Sequence, residues 1–215
     1  MPGKSATTEQ LAKWEGGFGD AYVDRNAATP EGVRARTRQW ARILECMRGD
    51  PPTSILEVGA NVGLNLRALR HLTDAELYAV EPNERAMSIL ISDGVLPSDH
   101  AKRGHAALLD WRDSTIDFVF CSDVLIHIHP DHLLSSCREM HRVARRYLAC
   151  SEYFSDKPET IRYQVQDDML FKRDFGSFWL DNFPDLRIID YGFSWRRVTG
   201  LDNSTWWLFE KSRPG

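Results

Sequence analysis

The sequence predicts an α/β fold with one mostly parallel sheet. Short apolar segments rich in β-branched residues alternate with amphipathic segments, and this alternation is typical of βαβ units that place helices on both faces of a sheet. Near the C-terminus, two strand-like segments break the alternation and predict an antiparallel hairpin at the sheet edge. The length of 215 residues suits one domain with a full core.

Seven segments have strand patterns, five in the alternating region and two in the hairpin. In chain order they read SILEVG, ELYAVE, AKRGHA, IDFVFCS, YLACSEY, LRIIDYGF and NSTWWLFEK. Helices are predicted at NERAMSILIS and PDHLLSSCREMHRVA. Another helix is expected to begin at Thr29-Pro30-Glu31, because threonine is a common N-cap and proline suits the first helical turn. It should end near Gly49.

Residues 1–29 are predicted to form a helical lid, and residues 30–215 the main domain. The segment WEGGFGDAYVDRN mixes aromatic and polar side chains, and helical spacing places Trp14 and Phe18 on one side of it. Its glycines allow a bend, so we expect the segment to cover a bound cofactor. The alternative is an N-terminal helix that only packs on the sheet edge.

Composition argues against several kinds of partner. A net charge of −4 does not suit a protein that binds nucleic acid through its phosphates. The basic run RARTRQWAR is interpreted as a solvated helix face opposite Val33 and Trp40. No apolar run reaches the roughly 18 residues of a membrane span, and MPGKSATTEQ lacks a signal-peptide core, so a cytoplasmic protein is expected. The four cysteines form no CxxC pair, which favours reduced thiols over a metal site.

The segment Ser54 to Leu69, SILEVGANVGLNLRAL, contains the clearest site signal. Glycine destabilises both strands and helices, and Gly59 and Gly63 lie where a strand is followed by a helix. Their presence predicts that another group approaches the backbone closely at this point. Glu81 ends the next strand, where a carboxylate can accept hydrogen bonds from both hydroxyls of a ribose. Asn61 breaks the dinucleotide pattern and no lysine completes a P-loop. The predicted ligand is an adenosine without phosphates, which fits S-adenosylmethionine.

Three motifs carry a resemblance to a known family. In this order, LEVGANVGLN, VEP and DFVFCSDVLIHI resemble the first motif, the ribose-binding acid and the fourth-strand motif of class I S-adenosylmethionine-dependent methyltransferases. The resemblance covers most of the chain. It implies a Rossmann-like fold with a seven-stranded sheet and transfer of a methyl group from S-adenosylmethionine.

The ends of the chain resemble a narrower family, the methyltransferases associated with pseudaminic acid biosynthesis. The similar segments are TEQLAKWEGGFGDAYVDRN, VLIHIHPDHL, LFKRDFG and TWWLFEK. The resemblance implies a small polar metabolite as substrate: an amino sugar, sugar acid, amino acid or carboxylate. Two positions depart from the family's pattern. Asp123 replaces a glycine before VLIHI, and Tyr163-Gln164-Val165-Gln166 replaces a segment with tyrosine, arginine, glycine and histidine.

Residues at the strand ends and in the N-terminal segment form the predicted cofactor site. They are Trp14, Tyr22, Arg25, Asn26, Glu57, Gly59, Ala60, Asn61, Gly63, Glu81, Pro82, Asn83, His105, Ala106 and Ser122. Asp123, His127 and Tyr153 are candidate catalytic residues, because they follow the fourth and fifth strands and can accept or donate a proton. Glu152 is a further candidate base.

Other polar residues near these strand ends have plainer interpretations beside the functional one. His127 is equally consistent with a packing role, and His129, which precedes Pro130 at a helix start, is predicted to be structural. Tyr163, Lys172 and Arg173 in YQVQDDMLFKRDF are substrate-binding candidates for an anionic group, although the two cations can also be exposed charges.

The sequence leaves the reaction and the assembly open. S-adenosylmethionine can also release methylthioadenosine when its aminocarboxypropyl carbon is attacked, and a regulator that binds a nucleoside without turnover is a third alternative. The methyl acceptor, the methylated atom and the help of a metal are undetermined. The expected partner is a small-molecule substrate, and a homodimer is one alternative for the oligomeric state.

Overall fold

A computed structural model describes residues 9–163 and 166–212, with the backbone alone for residues 162, 163 and 166–169. Its strands are β1 (Ser54–Val58), β2 (Glu76–Glu81), β3 (Ala101–Arg103), β4 (Ile116–Ser122), β5 (Ala144–Glu152), β6 (Glu159–Tyr163), β7 (Gln166–Lys172), β8 (Leu186–Ser194) and β9 (Ser204–Lys211). Its α-helices are α1 (Glu9–Glu15), α2 (Gly17–Arg25), α3 (Pro30–Glu45), α4 (Leu64–Leu69), α5 (Glu84–Ser92), α6 (Pro130–Val143), α7 (Phe175–Asn182) and α8 (Arg196–Thr199).

Seven of these strands form one sheet in the order β3-β2-β1-β4-β5-β9-β8. The pairs from β3 to β5 are parallel, and β9 is antiparallel to both β5 and β8. This confirms the predicted α/β fold, its mostly parallel sheet and its C-terminal hairpin. The chain moves outward from β1 to β3 and then returns to β4, so the strand order reverses between β1 and β4. Ligands of such sheets bind beyond the carboxyl ends of the strands at this reversal.

Apolar side chains cover both faces of the sheet, as parallel strands require. Along β4, Phe118 and Phe120 pack toward α3, where Trp40 is 1% exposed. The alternate residues Val119 and Cys121 pack in the cluster that includes α6 and α7. Because the two faces alternate residue by residue, β4 is fixed in register between two helical layers.

Caps set the predicted helix starts. The Thr29 hydroxyl accepts a hydrogen bond from the Gly32 amide at 3.1 Å, and Pro30 takes the first turn of α3. Asn83 caps α5 through the Ala86 amide at 2.8 Å. His129 caps α6, and this confirms its predicted structural role. None of the described helices is both long and apolar enough to cross a bilayer.

The structure differs from the sequence expectations in two places. The strand expected at AKRGHA ends at Arg103, because Gly104 leads into a turn that pairs His105 with Leu108. The expected substrate loop around YQVQDDMLFKRDF is instead an antiparallel hairpin of β6 and β7, which forms a second small sheet. The end of β7 approaches the cleft through Phe171, whose ring lies 5.5 Å from that of His129.

Candidate active site

The carboxyl ends of β1, β2 and β4 open into a cleft with a volume of about 300 Å³. Most of the predicted site residues line it: Trp14, Tyr22, Asn26, Glu57, Gly59, Ala60, Asn61, Glu81, Pro82, His105, Ala106, Ser122, Asp123 and His127. The reversal of strand order between β1 and β4 therefore lies at this cleft, where the sequence placed the site.

The loop after β1 owes its shape to residues with positive φ. Gly59 has φ +77° and Asn61 has φ +47°, and Gly63 at φ +75° precedes α4. A Cβ atom on Gly59 would lie 2.5 Å from a methyl group of Val124, so the neighbour that requires glycine here is the loop after β4. The close approach predicted from the sequence is therefore made by the protein itself, while Gly59 also lines the cleft.

Glu81 at the end of β2 organises one end of the cleft. Its carboxylate accepts hydrogen bonds from the Asn61 amide at 2.7 Å and from the Asn83 amide at 2.9 Å. Burial raises the pKa of Glu81 to about 7, while these two amides act against the rise. Each oxygen of a carboxylate has a second acceptor site, so Glu81 retains the capacity to bind a ligand's hydroxyl groups.

Glu57 lies in β1, and a chain of hydrogen bonds from Trp40 through Asn65 holds its carboxylate. The Trp40 indole donates to the Asn65 side chain at 3.0 Å, and the Asn65 amide donates to Glu57 Oε1 at 2.6 Å. The other oxygen, Oε2, is buried and has no hydrogen-bond partner among the described residues. Burial raises the pKa of Glu57 to about 8, with Arg36 acting in the opposite direction. A buried oxygen without a donor is uncommon in folded proteins, so this atom can accept a further hydrogen bond.

Asp123 follows β4 in an uncommon conformation. Its φ is +56°, and its own amide donates to the Ser151 carbonyl at 2.8 Å. Its Oδ1 atom is buried without a partner among the described residues. Burial raises the pKa of Asp123 to about 7, the nearby Asp202 adds to the rise, and Arg36 and Ser122 oppose it. A positive φ is uncommon for a residue other than glycine.

Glu152 at the end of β5 supports the loop that contains Asp123. Its two oxygens accept hydrogen bonds from the amides of Val124, Leu125 and Ile126 at 3.0–3.2 Å. It is completely buried, and burial raises its pKa to about 8. Glu152 does not line the cleft. The structure thus places this candidate base where it fixes the loop after β4.

The N-terminal helices contribute Trp14 and Tyr22 to the lining of the cleft. Trp14 in α1 contacts the ring of His127 at 4.8 Å and the ring of Tyr22 in α2 at 5.2 Å. α2 is tied to α5 because Arg85 donates to the Asp20 carbonyl and pairs with the Asp24 carboxylate. His105 also lines the cleft and is half-buried, and burial lowers its pKa while Glu15 of α1 opposes the shift. Aromatic rings therefore shield one side of the cleft from water.

Six of the residues predicted for the site do not line the cleft and make other contacts: Arg25, Gly63, Asn83, Tyr153, Lys172 and Arg173. Arg25 stacks on Tyr22, Gly63 and Asn83 begin helices, Tyr153 donates to Asp202 at 3.0 Å, Lys172 lies over Tyr153, and Arg173 stacks on Phe178. The side chain of Tyr163 lies outside the described part of the chain. The pKa of Tyr153 is raised by burial and then by Asp123, so its hydroxyl stays protonated.

Sequence reasoning missed other residues that line the cleft: Gln10, Leu11, Arg36, Val58, Leu64, Asn65, Ala107, Val124, Ile128, His132, Ser135 and Ser136. His129, predicted to be structural, lines the cleft as well. Arg36 matters most, because the basic run was interpreted as a solvated face. Arg36 stands three residues after Val33 and four before Trp40, which is the spacing of one helix face. That spacing was the signal that could have found it.

Comparisons with known proteins agree with this geometry. Residues 56–147 match the sequence profile of a family described as a methyltransferase domain. No curated protein sequence matches the chain. One similar solved structure is the 1,6-didemethyltoxoflavin-N1-methyltransferase of Burkholderia thailandensis with bound 1,6-didemethyltoxoflavin and S-adenosylhomocysteine. It is 19% identical to this chain, and the TM-score is 0.69 over 99% of this chain and 93% of that one.

Two further solved structures share the fold. The magnesium protoporphyrin IX methyltransferase of Synechocystis PCC 6803 with bound S-adenosylhomocysteine is 16% identical, with a TM-score of 0.66 over 94% of this chain and 98% of that one. An S-adenosylmethionine-dependent methyltransferase of Leishmania major is also 16% identical, with a TM-score of 0.69 over 95% and 87%. Residues 56–147 therefore match a methyltransferase domain, and the chain has the fold of methyltransferases solved with S-adenosylhomocysteine.

Proposed function

We propose that this methyltransferase transfers the methyl group of S-adenosylmethionine to a small polar metabolite. The observation that carries the proposal is the set of buried polar atoms that line the cleft without a partner among the described residues: Trp14 Nε1, Glu57 Oε2, Asn61 Oδ1 and Asp123 Oδ1. Unsatisfied buried groups cost about 1–3 kcal/mol each, so a cleft with several of them is adapted to a polar ligand.

The residues present fit the adenosyl and amino acid parts of the donor. Glu81 would accept hydrogen bonds from the ribose hydroxyls, Glu57 Oε2 would pair with the ammonium group, and Arg36 would pair with the carboxylate. When bound, S-adenosylmethionine supplies an electrophilic methyl group on a sulfonium ion. The chain's part is then to orient a nucleophile and to exclude water, and orientation alone can supply about 7–11 kcal/mol in favourable cases.

We assign the acceptor to the part of the cleft on the side of α6. It is lined by His127, His129, His132, Ser135 and Ser136, all of them polar residues of the loop after β4 and of α6. These groups can donate and accept hydrogen bonds, which favours a hydroxylated or amino-substituted molecule over an apolar one. We propose that α1 and α2 act as the lid over this part, because Trp14 already lies against His127.

The resemblance to the pseudaminic acid-associated family supports an amino sugar, sugar acid, amino acid or carboxylate as acceptor. The β6–β7 hairpin stands beside the same part of the cleft, where Phe171 packs on His129. We propose that this hairpin, with Lys172 and Arg173 at its end, helps to select the acceptor. The hairpin contains one of the two places in which the sequence departs from that family's pattern.

Product analysis tests the proposed reaction. The pure protein is incubated with S-adenosylmethionine and a panel of amino sugars, amino acids and small carboxylic acids, and both coproducts are followed by mass spectrometry. We expect acceptor-dependent formation of S-adenosylhomocysteine. Methylthioadenosine would instead mean aminocarboxypropyl transfer or cyclisation, and tight binding of S-adenosylhomocysteine without either product would favour a regulator.

A further inference from the structure

The carboxylates of the cleft follow the order of the strands. Glu81 belongs to β2, Glu57 to β1 and Asp123 to the end of β4, and these three strands are neighbours in the sheet. Neighbouring strands lie about 4.8 Å apart, so β2 and β4 are roughly 10 Å apart with β1 between them. A ligand whose ribose lies at Glu81 would thus present its amino acid end and its reactive centre toward β4.

One of the three carboxylates in the cleft has no partner when the charges of the donor are paired with residues of the protein. The inference rests on the proposed function, in which Glu57 pairs with the donor's ammonium, Arg36 with its carboxylate and Glu81 with its ribose. Asp123 then has no partner in the donor, and its buried Oδ1 atom has none among the described residues. Removing a charge from water without a partner is costly, so a buried carboxylate at this position needs a cation or a hydrogen-bond donor.

The surroundings of Asp123 are acidic. Asp202, in the connection before β9, is near enough to raise the Asp123 pKa, and it accepts a hydrogen bond from the Tyr153 hydroxyl at 3.0 Å. Arg196 lies 3.6 Å from the other oxygen of Asp202 and offsets part of its charge, but both side chains are largely exposed. Arg36 is the cation that faces Asp123 from α3, and it is assigned to the donor's carboxylate.

We propose that Asp123 binds the amino group of an amine acceptor, and that Asp202 strengthens the negative potential at that position. Asp123 Oδ1 would hold the ammonium form and accept the proton that the amine must lose before its lone pair can react. A neutral hydroxyl acceptor would be stabilised less by the negative potential of Asp123 and Asp202 than an ammonium group. A carboxylate acceptor would be repelled by them. The acceptor class is therefore a primary or secondary amine.

Two adenosine ligands test this without knowledge of the natural acceptor. S-adenosylhomocysteine has a neutral thioether at the reactive centre, whereas sinefungin has a carbon with an amino group there. Affinities of both are measured by titration calorimetry for the wild type and for Asp123→Asn. We expect the wild type to bind sinefungin about tenfold more tightly, and Asp123→Asn to lose this preference while its affinity for S-adenosylhomocysteine stays within about threefold.

Two further variants make the test specific. Asp202→Asn should reduce the preference for sinefungin partially, and Asp181→Asn, exposed on α7, should leave it unchanged. Equal affinities for the two ligands in the wild type, or a preference that survives in Asp123→Asn, would overturn the inference. Failure of the wild type to bind either ligand would instead refute the proposed function, so the two failures are distinguishable.

Discussion

Glu57 and Glu152 are both buried carboxylates whose pKa is raised by burial to about 8, but their oxygens differ in what they bind. Glu152 accepts hydrogen bonds from three backbone amides and lies outside the cleft. Glu57 lines the cleft, and one of its oxygens has no partner among the described residues. The comparison teaches that burial alone does not identify a functional acid. A fully satisfied carboxylate shapes the protein, and a half-satisfied one is left for a ligand.

The largest expected effect is on the stability of Glu152→Ala. The substitution removes the acceptor of three amides in the loop after β4, and each unsatisfied donor costs about 1–3 kcal/mol, so we expect at least about 3 kcal/mol of destabilisation. Urea unfolding measures it. Glu45→Ala, which removes an exposed ion pair with Arg48, is the control and should change stability by less than about 1 kcal/mol. Equal losses in the two variants would refute the supporting role of Glu152.

Gly59→Val should lower both the stability of the fold and the affinity for S-adenosylhomocysteine. The branched side chain would meet Val124 at a φ of +77°, and strain together with overpacking should cost about 2–5 kcal/mol. Binding of S-adenosylhomocysteine should weaken as well, because the loop lines the cleft. Gly49→Ala serves as the control, since no atom lies within 4 Å of the added carbon. Wild-type stability of Gly59→Val would contradict the described packing.

Glu81→Ala should weaken binding of S-adenosylhomocysteine by about 1.5–3 kcal/mol, which is the range for hydrogen bonds to charged groups. The reason is the loss of both proposed ribose contacts together with the support of the Asn61 amide. Calorimetric titration measures the effect, and Glu76→Ala at the exposed start of the same strand is the matched control. Unchanged affinity in Glu81→Ala would remove Glu81 from the site.

A more gradual effect is expected in the pH dependence of stability. The folded protein raises the pKa of Glu57 to about 8, so between about pH 4 and 8 it binds more protons at this group than the unfolded chain does. The contribution of Glu57 to the free energy of unfolding is therefore highest at low pH and declines as pH rises, with a slope of up to about 1.4 kcal/mol per pH unit. Glu57→Gln should flatten the wild-type curve in this window. A curve of unchanged slope would contradict the assignment.

Much of the fold was predictable because it depends on local patterns. The strands with β-branched residues, the glycines after β1 and the cap at Thr29 each follow from a short stretch of sequence. The β6–β7 hairpin was missed because its charged residues hide the alternation of a strand. The helix α7 was missed as well, since it is only eight residues long.

The candidate site was predictable where it lies on strand ends and unpredictable where it depends on contacts between distant segments. Glu81 and the loop around Gly59 could be found from spacing. The role of Glu152 could not, because its partners are amides of a loop about 26–28 residues earlier in the chain. Arg36 was missed because a run of arginines is usually exposed, and only its spacing from Trp40 places it toward the cleft.

The comparison between the two buried acids is tested most directly by titrating S-adenosylhomocysteine into Glu57→Gln and Glu152→Gln, each under conditions in which the variant is folded. An amide keeps the shape of the side chain but cannot form an ion pair with an ammonium group. We predict that Glu57→Gln loses affinity tenfold or more, about 1.4 kcal/mol, while Glu152→Gln stays within about threefold of the wild type. Wild-type affinity in Glu57→Gln would contradict the assignment of the half-satisfied carboxylate to the ligand.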